Sequence, residues 1–267
     1  MKTKYLLFGG LVAASSLLSA CSDFFDQDSD HVIFADDYEL NQSSDTIYSL
    51  TGIMSKMQAL GDRTVLLGEV RGDLVDVTNS ANADLRELAQ FDVSDGNRYN
   101  SPKDYYAVIN NCNLYLSKAD TAVRNSANKS LFIKEYAAVK AYRAWTYLQL
   151  ALNYGKVPFY TKPITTKEQA EAKYPEKDIV DLCNTLVADI APLADVEIPG
   201  LGNIGITDSR MLYFPIYVLL GDLNLWAGNY KQAAMAYYKY ITTANGSNSY
   251  FPITSRSVMW TGPEWVS

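Results

Sequence analysis

The residue whose surroundings define its chemistry most clearly is Cys21. It follows Leu18, Ser19 and Ala20, an order that matches the lipobox of bacterial lipoproteins. In that pattern the small residue before the cysteine permits cleavage, the thiol then carries a diacylglycerol, and the new amine is acylated. Because two or more acyl chains make membrane anchoring stable, the sequence predicts lipidation at Cys21. The alternative is an ordinary signal peptide with a coincidental cysteine.

The segment before Cys21 is organised as a signal peptide. Two lysines lie within the first four residues, and an apolar run follows from Tyr5 to Leu18. This run is too short to be a permanent membrane span. We therefore assign residues 1–20 to a lipoprotein signal peptide. We assign residues 21–42, which include the sequence SDFFDQDSD, to an acidic flexible tether.

The composition excludes several classes of function. Without the two leader lysines, 21 basic residues stand against 30 acidic ones, a net charge of −9. An acidic chain without a dense basic run is a poor candidate for nucleic-acid binding, which needs clustered lysine and arginine. The single histidine, His31, lies in the acidic tether and is expected to be solvated. Histidine-based catalysis and multi-histidine metal sites are therefore not predicted, and neither is a cofactor.

The strongest helical pattern runs from Leu131 to Tyr160, with the sequence LFIKEYAAVKAYRAWTYLQLALNYGKVPFY. Its many alanines favour a helix. Its end is marked by Gly155, which can adopt a left-handed conformation, and by Pro158, which prevents the helix from resuming. Apolar residues at helical spacing predict a buried stripe: Phe132, Tyr136, Val139, Tyr142 or else Arg143, and Leu150.

Three further helices are predicted from periodicity and caps. The first runs from Ser44 to Leu60 with Gly61 at its end, and another runs from near Pro175 to Pro192. For the third, Ser101, Pro102 and Asp104 predict an N-cap, a first-turn proline and a near capping box. Its buried face is predicted to comprise Tyr105, Val108, Ile109, Cys112, Leu116 and Ala119.

The other cysteines, Cys112 and Cys183, fall on the apolar faces of two of these helices. A disulfide between them is open to an exported protein. Their position among core residues favours buried free thiols.

Residues 213–243 match the pattern of a tetratricopeptide hairpin. Gly221 and Ala233 allow two helices to approach closely, and Gly228 supplies the turn, whereas Asn224 departs from the pattern at a tyrosine position. The matching residues are Tyr217, Leu220, Gly221, Gly228, Tyr230, Ala233 and Tyr237. Together with the other helices, this hairpin predicts an all-α protein.

The chain resembles the SusD/RagB family, the nutrient-capturing surface lipoproteins of Bacteroidetes. The resemblance rests on the alanine- and aromatic-rich helix with Arg143 in its middle, on the endings NYGKVPF and TKPIT, and on the hairpin. The segment YYAVINNCNLYLSKAD is similar to an asparagine-rich segment of the family, with Asn110, Asn111 or Asn113 at the matching positions. In a helix such asparagines are more often structural hydrogen-bonding residues than ligands.

The resemblance implies tetratricopeptide-like helical hairpins with long irregular loops. It also implies a non-enzymatic lipoprotein, anchored in the outer membrane and exposed at the cell surface. Such a protein binds oligosaccharide or another nutrient and delivers it to a SusC-like TonB-dependent transporter. Family members continue into a long second half, so residues 43–267 are expected to be the N-terminal part of a SusD-like domain.

Residues 61–100 are expected to be irregular, with only Ala83–Ala89 indicating a short helix. A loop of this length in a helical protein is uncommon unless it is functional or disordered. Its EVRGD sequence is similar to the family, whose sugar-binding loops include this region. A sugar site needs aromatic rings that pack on the C–H faces of the sugar and polar side chains that hydrogen-bond to its hydroxyls. The candidate ligand-binding residues in this segment are Arg71, Asp73, Asn79 and Tyr99.

Two other functions fit parts of the sequence. One is a tetratricopeptide scaffold lipoprotein of outer-membrane assembly, which predicts several tandem repeats, although only one stretch here matches well. The other is a surface glycosidase, which needs a pair of carboxylates about the scissile bond. The 30 acidic residues allow such a pair but single none out. A nutrient-binding lipoprotein is the preferred interpretation.

Overall fold

The computed structural model describes residues 39–40, 43–72, 75–200, 202–204 and 207–244. Cys21, His31 and Asp73 lie outside the described residues. The predicted signal peptide, tether and lipidation therefore stay predictions.

The described residues are mostly helical, which confirms the all-α prediction. The helices are α1 Ser43–Gln58, α2 Gly61–Val65, α3 Ala83–Ala89, α4 Lys103–Lys118, α5 Ile133–Tyr154, α6 Lys167–Glu171, α7 Ile179–Ile190, α8 Ile216–Trp226 and α9 Tyr230–Ala244. A π-helical turn, Leu66–Val70, follows α2, and 3-10 turns lie at Arg98–Asn100, Ala191–Leu193 and Ser209–Leu212. Two antiparallel strand pairs complete the fold: β1 Val157–Pro158 with β2 Glu176–Lys177, and β3 Asn203–Ile204 with β4 Thr207–Asp208.

Helix α5 lies at the centre of the fold, packed between α4 and α7. It is buried on most of its circumference rather than along one stripe, because its alanines let neighbouring helices approach from several sides. The sequence predicts either Tyr142 or Arg143 on the buried stripe of this helix, and the structure buries both. The helix ends as predicted at Gly155, whose φ of +79° is one that L side chains rarely adopt.

An ion pair between a buried arginine and a half-buried aspartate connects α5 to α7. The Arg143 guanidinium, only 3% exposed, donates from Nη2 to Asp189 Oδ2 of α7 at 2.7 Å. Its Nη1 donates to Asn113 Oδ1 of α4 at 2.8 Å. Burial by itself raises the pKa of Asp189, but hydrogen bonds and charge from Lys140 and Arg143 outweigh burial and lower it overall.

The region after α1 departs from the prediction. Helix α1 ends at Gln58, and Gly61 begins α2 instead of ending a helix, so residues 61–70 are helical. The reason is tertiary: Leu67 and Val70 are buried in a small core, and this burial outweighs the low helix propensity of glycine. In α1, Leu50 and Ile53 are buried, whereas Ile47 is 38% exposed. The short helix Ala83–Ala89 is confirmed.

Two predicted helix starts are also corrected. Helix α4 begins at Lys103, and no capping box forms there, because the Asp104 carboxylate accepts a hydrogen bond from Arg63 Nη2 at 2.7 Å. The Ser101 hydroxyl lies 3.4 Å from the Lys103 amide. Helix α7 begins at Ile179, after a side-chain cap by Asp178 and not near Pro175.

Helices α8 and α9 form the predicted hairpin. Gly228 makes the turn with a φ of +77°. Gly221 faces the ring of Tyr237 so closely that an added Cβ would lie 2.2 Å from a ring carbon. Asn224, the departure from the repeat pattern, is buried and donates from Nδ2 to the Leu220 carbonyl at 2.7 Å. This internal hydrogen bond satisfies a polar group that the hairpin would otherwise bury unpaired.

The cysteines follow the favoured alternative. Cys112 and Cys183 are free and buried. Burial raises the pKa of each thiol to about 12, so both remain protonated at neutral pH.

The close approach at Gly221 predicts a specific cost. Gly221→Ala should lower the free energy of unfolding by about 1–3 kcal/mol, because the added methyl overlaps the Tyr237 ring. Gly52→Ala in the middle of α1 is the matched control: its added Cβ meets nothing within 4 Å, so it should stabilise the protein by about 1 kcal/mol. Urea unfolding followed by circular dichroism measures both. Equal effects of the two substitutions would contradict the packing.

The lowered pKa of Asp189 predicts a pH dependence. The ionised carboxylate contributes stability that is complete above its unfolded pKa of about 3.9 and is lost as the pH falls through the lower folded value. Asp189→Asn should therefore lower the free energy of unfolding by about 1–3 kcal/mol at pH 7. This difference in unfolding free energy between the variant and the parent should become smaller below about pH 4. Urea titrations between pH 7 and 3 test this, with exposed Asp92→Asn as the charge-matched control. A difference independent of pH would refute the assignment.

Candidate functional site

Three tyrosines from separate segments meet at one surface cavity. Tyr106 projects from α4, Tyr160 follows β1, and Tyr174 precedes β2. The rings of Tyr106 and Tyr160 are stacked, with centroids 5.8 Å apart and planes 13° apart. The rings of Tyr160 and Tyr174 lie 4.8 Å apart at 41°. We call the open space of about 1040 Å³ that they line the tyrosine cavity.

Hydrogen bonds to α4 and α5 hold the segment that carries Tyr160. The Asn110 side chain donates to the Ile164 carbonyl at 2.8 Å and accepts from the Ile164 amide at 2.7 Å, as a neighbouring strand would. The Tyr147 hydroxyl donates to the Tyr160 carbonyl at 2.7 Å and accepts from its amide at 3.0 Å. The Tyr106 hydroxyl donates to the Pro158 carbonyl. The backbone of this segment is therefore fixed by side chains from the core.

Two of the three asparagines of α4, Asn110 and Asn113, serve structural roles, in line with the sequence interpretation. Asn110 pairs with Ile164, as described above. Asn113 is fully buried, accepts from Arg143, and lies 3.4 and 3.3 Å from the carbonyls of Tyr160 and Lys162. Both side chains connect α4 to the segment after β1.

The chemistry of the tyrosine cavity combines aromatic faces with a few polar groups. Its walls include Lys103, Lys173, Glu176 and the Asn110 side chain. Burial raises the pKa of Tyr160 to about 12 and also raises that of Tyr106. The phenols therefore remain neutral at physiological pH and act as hydrogen-bonding rings. Apolar walls with a small number of placed polar groups are typical of sites for small organic ligands.

The residues predicted from the EVRGD region occupy different positions. Arg71 is half-buried and donates from Nη2 to Asn153 Oδ1 of α5 at 3.0 Å and from Nε to the Leu67 carbonyl. Asn79 is exposed, and Asp73 lies outside the described residues. The structure thus fixes Arg71 against the end of α5 and leaves Asn79 in solvent.

Tyr99 packs inward instead of facing solvent. The residue is 8% exposed and belongs to a small core with Leu67, Val70 and Leu88. Its carbonyl accepts from the Tyr154 hydroxyl of α5 at 2.7 Å. Arg71 and Tyr99 therefore both contact the last turn of α5, whereas Asn79 does not join them in any described contact.

Two features give order to the segment that contains these residues. The π-helical turn Leu66–Val70 ends immediately before Arg71, and such turns occur frequently at functional sites. Further along, the Glu87 carboxylate accepts hydrogen bonds from the Asn97 side chain and from both the amide and hydroxyl of Ser94. These bonds lower the pKa of Glu87.

The sequence patterns do not predict the tyrosine cavity, although one signal for it is present in α4. Tyr105 and Tyr106 are adjacent in α4, and neighbouring helical positions point about 100° apart. Tyr105 is fully buried and meets Asn153, so Tyr106 has to face another environment. Tyr160 and Tyr174 carry no such local signal, because only the tertiary fold brings them beside α4.

Two further searches bear on the site. In the part of the chain that the structure describes, no group of three or more histidine, cysteine or acidic side chains is arranged to hold a metal ion. Among the same residues, no helix has both the length and the apolar character required to cross a membrane.

Comparison with known proteins places the fold. No family model and no curated protein matches the sequence. A laminarin-binding SusD-like protein aligns with a TM-score of 0.63 and 18% identity, over 84% of this chain and 49% of that one. Surface glycan-binding protein A from Bacteroides uniformis gives 0.60 and 18%, over 84% and 50%. A SusD superfamily protein from Bacteroides thetaiotaomicron gives 0.59 and 16%, over 82% and 49%.

These alignments show that the chain has the SusD-like fold, as its sequence motifs predict. The chain spans about half the length of the solved structures it matches.

Proposed function

We propose that this protein binds carbohydrate and that the tyrosine cavity is its binding site. The observation that carries the proposal is the convergence of Tyr106, Tyr160 and Tyr174 on one open cavity of about 1040 Å³. The SusD-like fold supports it, because the aligned structures include a laminarin-binding SusD-like protein and a surface glycan-binding protein.

The physical match is between sugar rings and tyrosine rings. A pyranose has an apolar C–H face that packs on an aromatic ring, and its hydroxyls pair with the few polar groups of a largely apolar wall. The half-buried rings of the tyrosine cavity supply such faces. Lys103, Lys173 and Glu176 supply hydrogen-bonding groups at its edge.

We infer binding rather than catalysis. Hydrolysis of a glycoside generally uses two carboxylates on either side of the scissile bond. Among the described residues that line the tyrosine cavity, Glu176 is the single carboxylate, and the remaining polar groups are lysines, tyrosines and an asparagine. This set suits retention of a sugar better than its cleavage.

We also propose a cellular setting, which is supported by the lipobox at Cys21 and by the SusD-like fold. Lipidation at Cys21 would anchor the protein to the outer membrane, with the acidic tether holding the helical domain at the cell surface. In this setting the protein passes oligosaccharide to a SusC-like TonB-dependent transporter. Arg71, Asp73, Asn79 and Tyr99 remain proposed ligand contacts from the sequence, and of these Arg71 and Tyr99 are held against the last turn of α5.

Binding at the tyrosine cavity is tested with laminarin, starch and mannan by isothermal titration calorimetry. We expect at least one of these glucans or mannans to bind, and Tyr160→Ala and Tyr174→Ala each to weaken its binding about tenfold, which corresponds to about 1.4 kcal/mol. Tyr48→Ala is the matched control, because this tyrosine of α1 is 79% exposed and lies outside the cavity. Affinity that is unchanged in both cavity variants, or no binding to the whole panel, would overturn the proposal.

The transporter partnership is tested by affinity purification of the native protein from its own outer membrane in mild detergent. We expect a TonB-dependent barrel to co-purify in near-equal amount. Recovery of outer-membrane assembly components in place of that barrel would contradict the partnership and favour the scaffold function. Cys21→Ser serves as the control for anchoring, because it removes the acylated thiol and should release the protein from the membrane.

A further inference from the structure

A second, basic pocket lies behind the segment that carries Tyr160. Tyr160 and Ile164 line the tyrosine cavity, whereas the residues between them, Thr161 to Pro163, line a separate cavity of about 290 Å³. Its other walls come from α4, α5 and α7. The residues that matter for its chemistry are Lys140, Arg143, Thr161, Lys162 and Asp189.

The charges of the basic pocket do not cancel. Lys140, Arg143 and Lys162 contribute three positive charges, and Asp189 contributes the single negative charge among the described lining residues. The carboxylate of Asp189 is shared between Lys140 and Arg143. The chain as a whole carries a net charge of −7, so this excess of positive charge is a local feature of the pocket.

Two of these cations, one half-buried and one buried, have N–H donors that are not directed to a described acceptor. The Lys140 side chain is 14% exposed; its ammonium has three N–H donors, of which one is directed to Asp189, and it lies 5.5 Å from the centre of the Tyr136 ring. Arg143 is 3% exposed, and its buried Nε has no hydrogen-bond acceptor among the described residues. Leaving such donors without partners costs free energy.

We propose that the basic pocket binds a small oxyanion, the chemistry shared by a carboxylate and a sulfate. Such a group has several acceptor oxygens and carries the charge that the pocket lacks, and lysine and arginine make their strongest hydrogen bonds to it. The pocket has room for the ion, since a water molecule takes about 30 Å³ of liquid volume. The anion is either free in solution or an acidic substituent of a saccharide.

The test uses sodium sulfate and sodium glucuronate, titrated into the full chain at constant ionic strength set with sodium chloride. Amide chemical shifts of Thr161 and Lys162 report occupancy. We expect saturable shifts with at least one of the two anions. Lys162→Gln should weaken binding about threefold and Lys140→Gln about tenfold, whereas Lys156→Gln, the same charge change at an exposed site outside both cavities, should have no effect.

Lys140→Gln also removes a partner of Asp189 and could destabilise the protein. In that case the loss of anion affinity in Lys162→Gln and Thr161→Val tests the proposal, because both residues line the basic pocket. Tight binding of sulfate alone supports a free anion. A uronate-containing oligosaccharide that binds at least tenfold more tightly than glucuronate supports an acidic saccharide. No saturable shift with either anion, or equal affinity in Lys162→Gln, would overturn the proposal.

Anion binding in the basic pocket does not depend on the proposed binding of carbohydrate in the tyrosine cavity. Tyr174 lines the tyrosine cavity and not the basic pocket. Tyr174→Ala should therefore leave sulfate binding within twofold of the parent while it weakens binding of neutral polysaccharide. If no neutral polysaccharide binds but the anion does, only the carbohydrate proposal fails.

Discussion

The rest of the structure depends on how the Arg143 guanidinium is accommodated inside the protein. A buried charge that loses its partner costs about 3–5 kcal/mol, so α5 can occupy the centre only if neighbouring helices bring acceptors to it. Asp189 of α7 and Asn113 of α4 do so. The tetratricopeptide-like arrangement of α4, α5 and α7 is therefore fixed by a polar requirement as well as by apolar burial.

The same polar network extends to the candidate sites. Asn113 accepts from Arg143 and also reaches the carbonyls of Tyr160 and Lys162, and Asn110, one turn earlier, pairs with Ile164. One side of this segment faces the tyrosine cavity and the other faces the basic pocket. Both candidate sites are thus held by side chains of the core. Protein side chains that are already held in place lose little conformational freedom when a ligand binds, and this favours affinity.

The sequence predicts what local chemistry controls and misses what only the tertiary fold decides. The end of α5 at Gly155, the hairpin turn at Gly228 and the contact at Gly221 follow from the special properties of glycine, and all are confirmed. Gly61 begins α2 instead of ending a helix, because the burial of residues that follow it outweighs its low helix propensity. The spacing of residues does not predict the tyrosine cavity, because its three rings come from α4, from the segment after β1 and from the segment before β2. Only the tertiary fold brings these three parts of the chain together.

The two cavities differ in how binding is connected to stability. The tyrosine cavity is lined by neither Arg143 nor Asp189, although Asn113 connects Arg143 to the Tyr160 carbonyl. That contact is with the backbone of Tyr160, so a side-chain change in the tyrosine cavity removes no partner of the Arg143–Asp189 pair. The basic pocket, in contrast, is lined by Arg143 and Asp189 themselves. Any anion in it adds to the charges that hold α5 against α7, and a ligand that binds only the folded chain stabilises the fold. Variation is therefore easier in the tyrosine cavity than in the basic pocket.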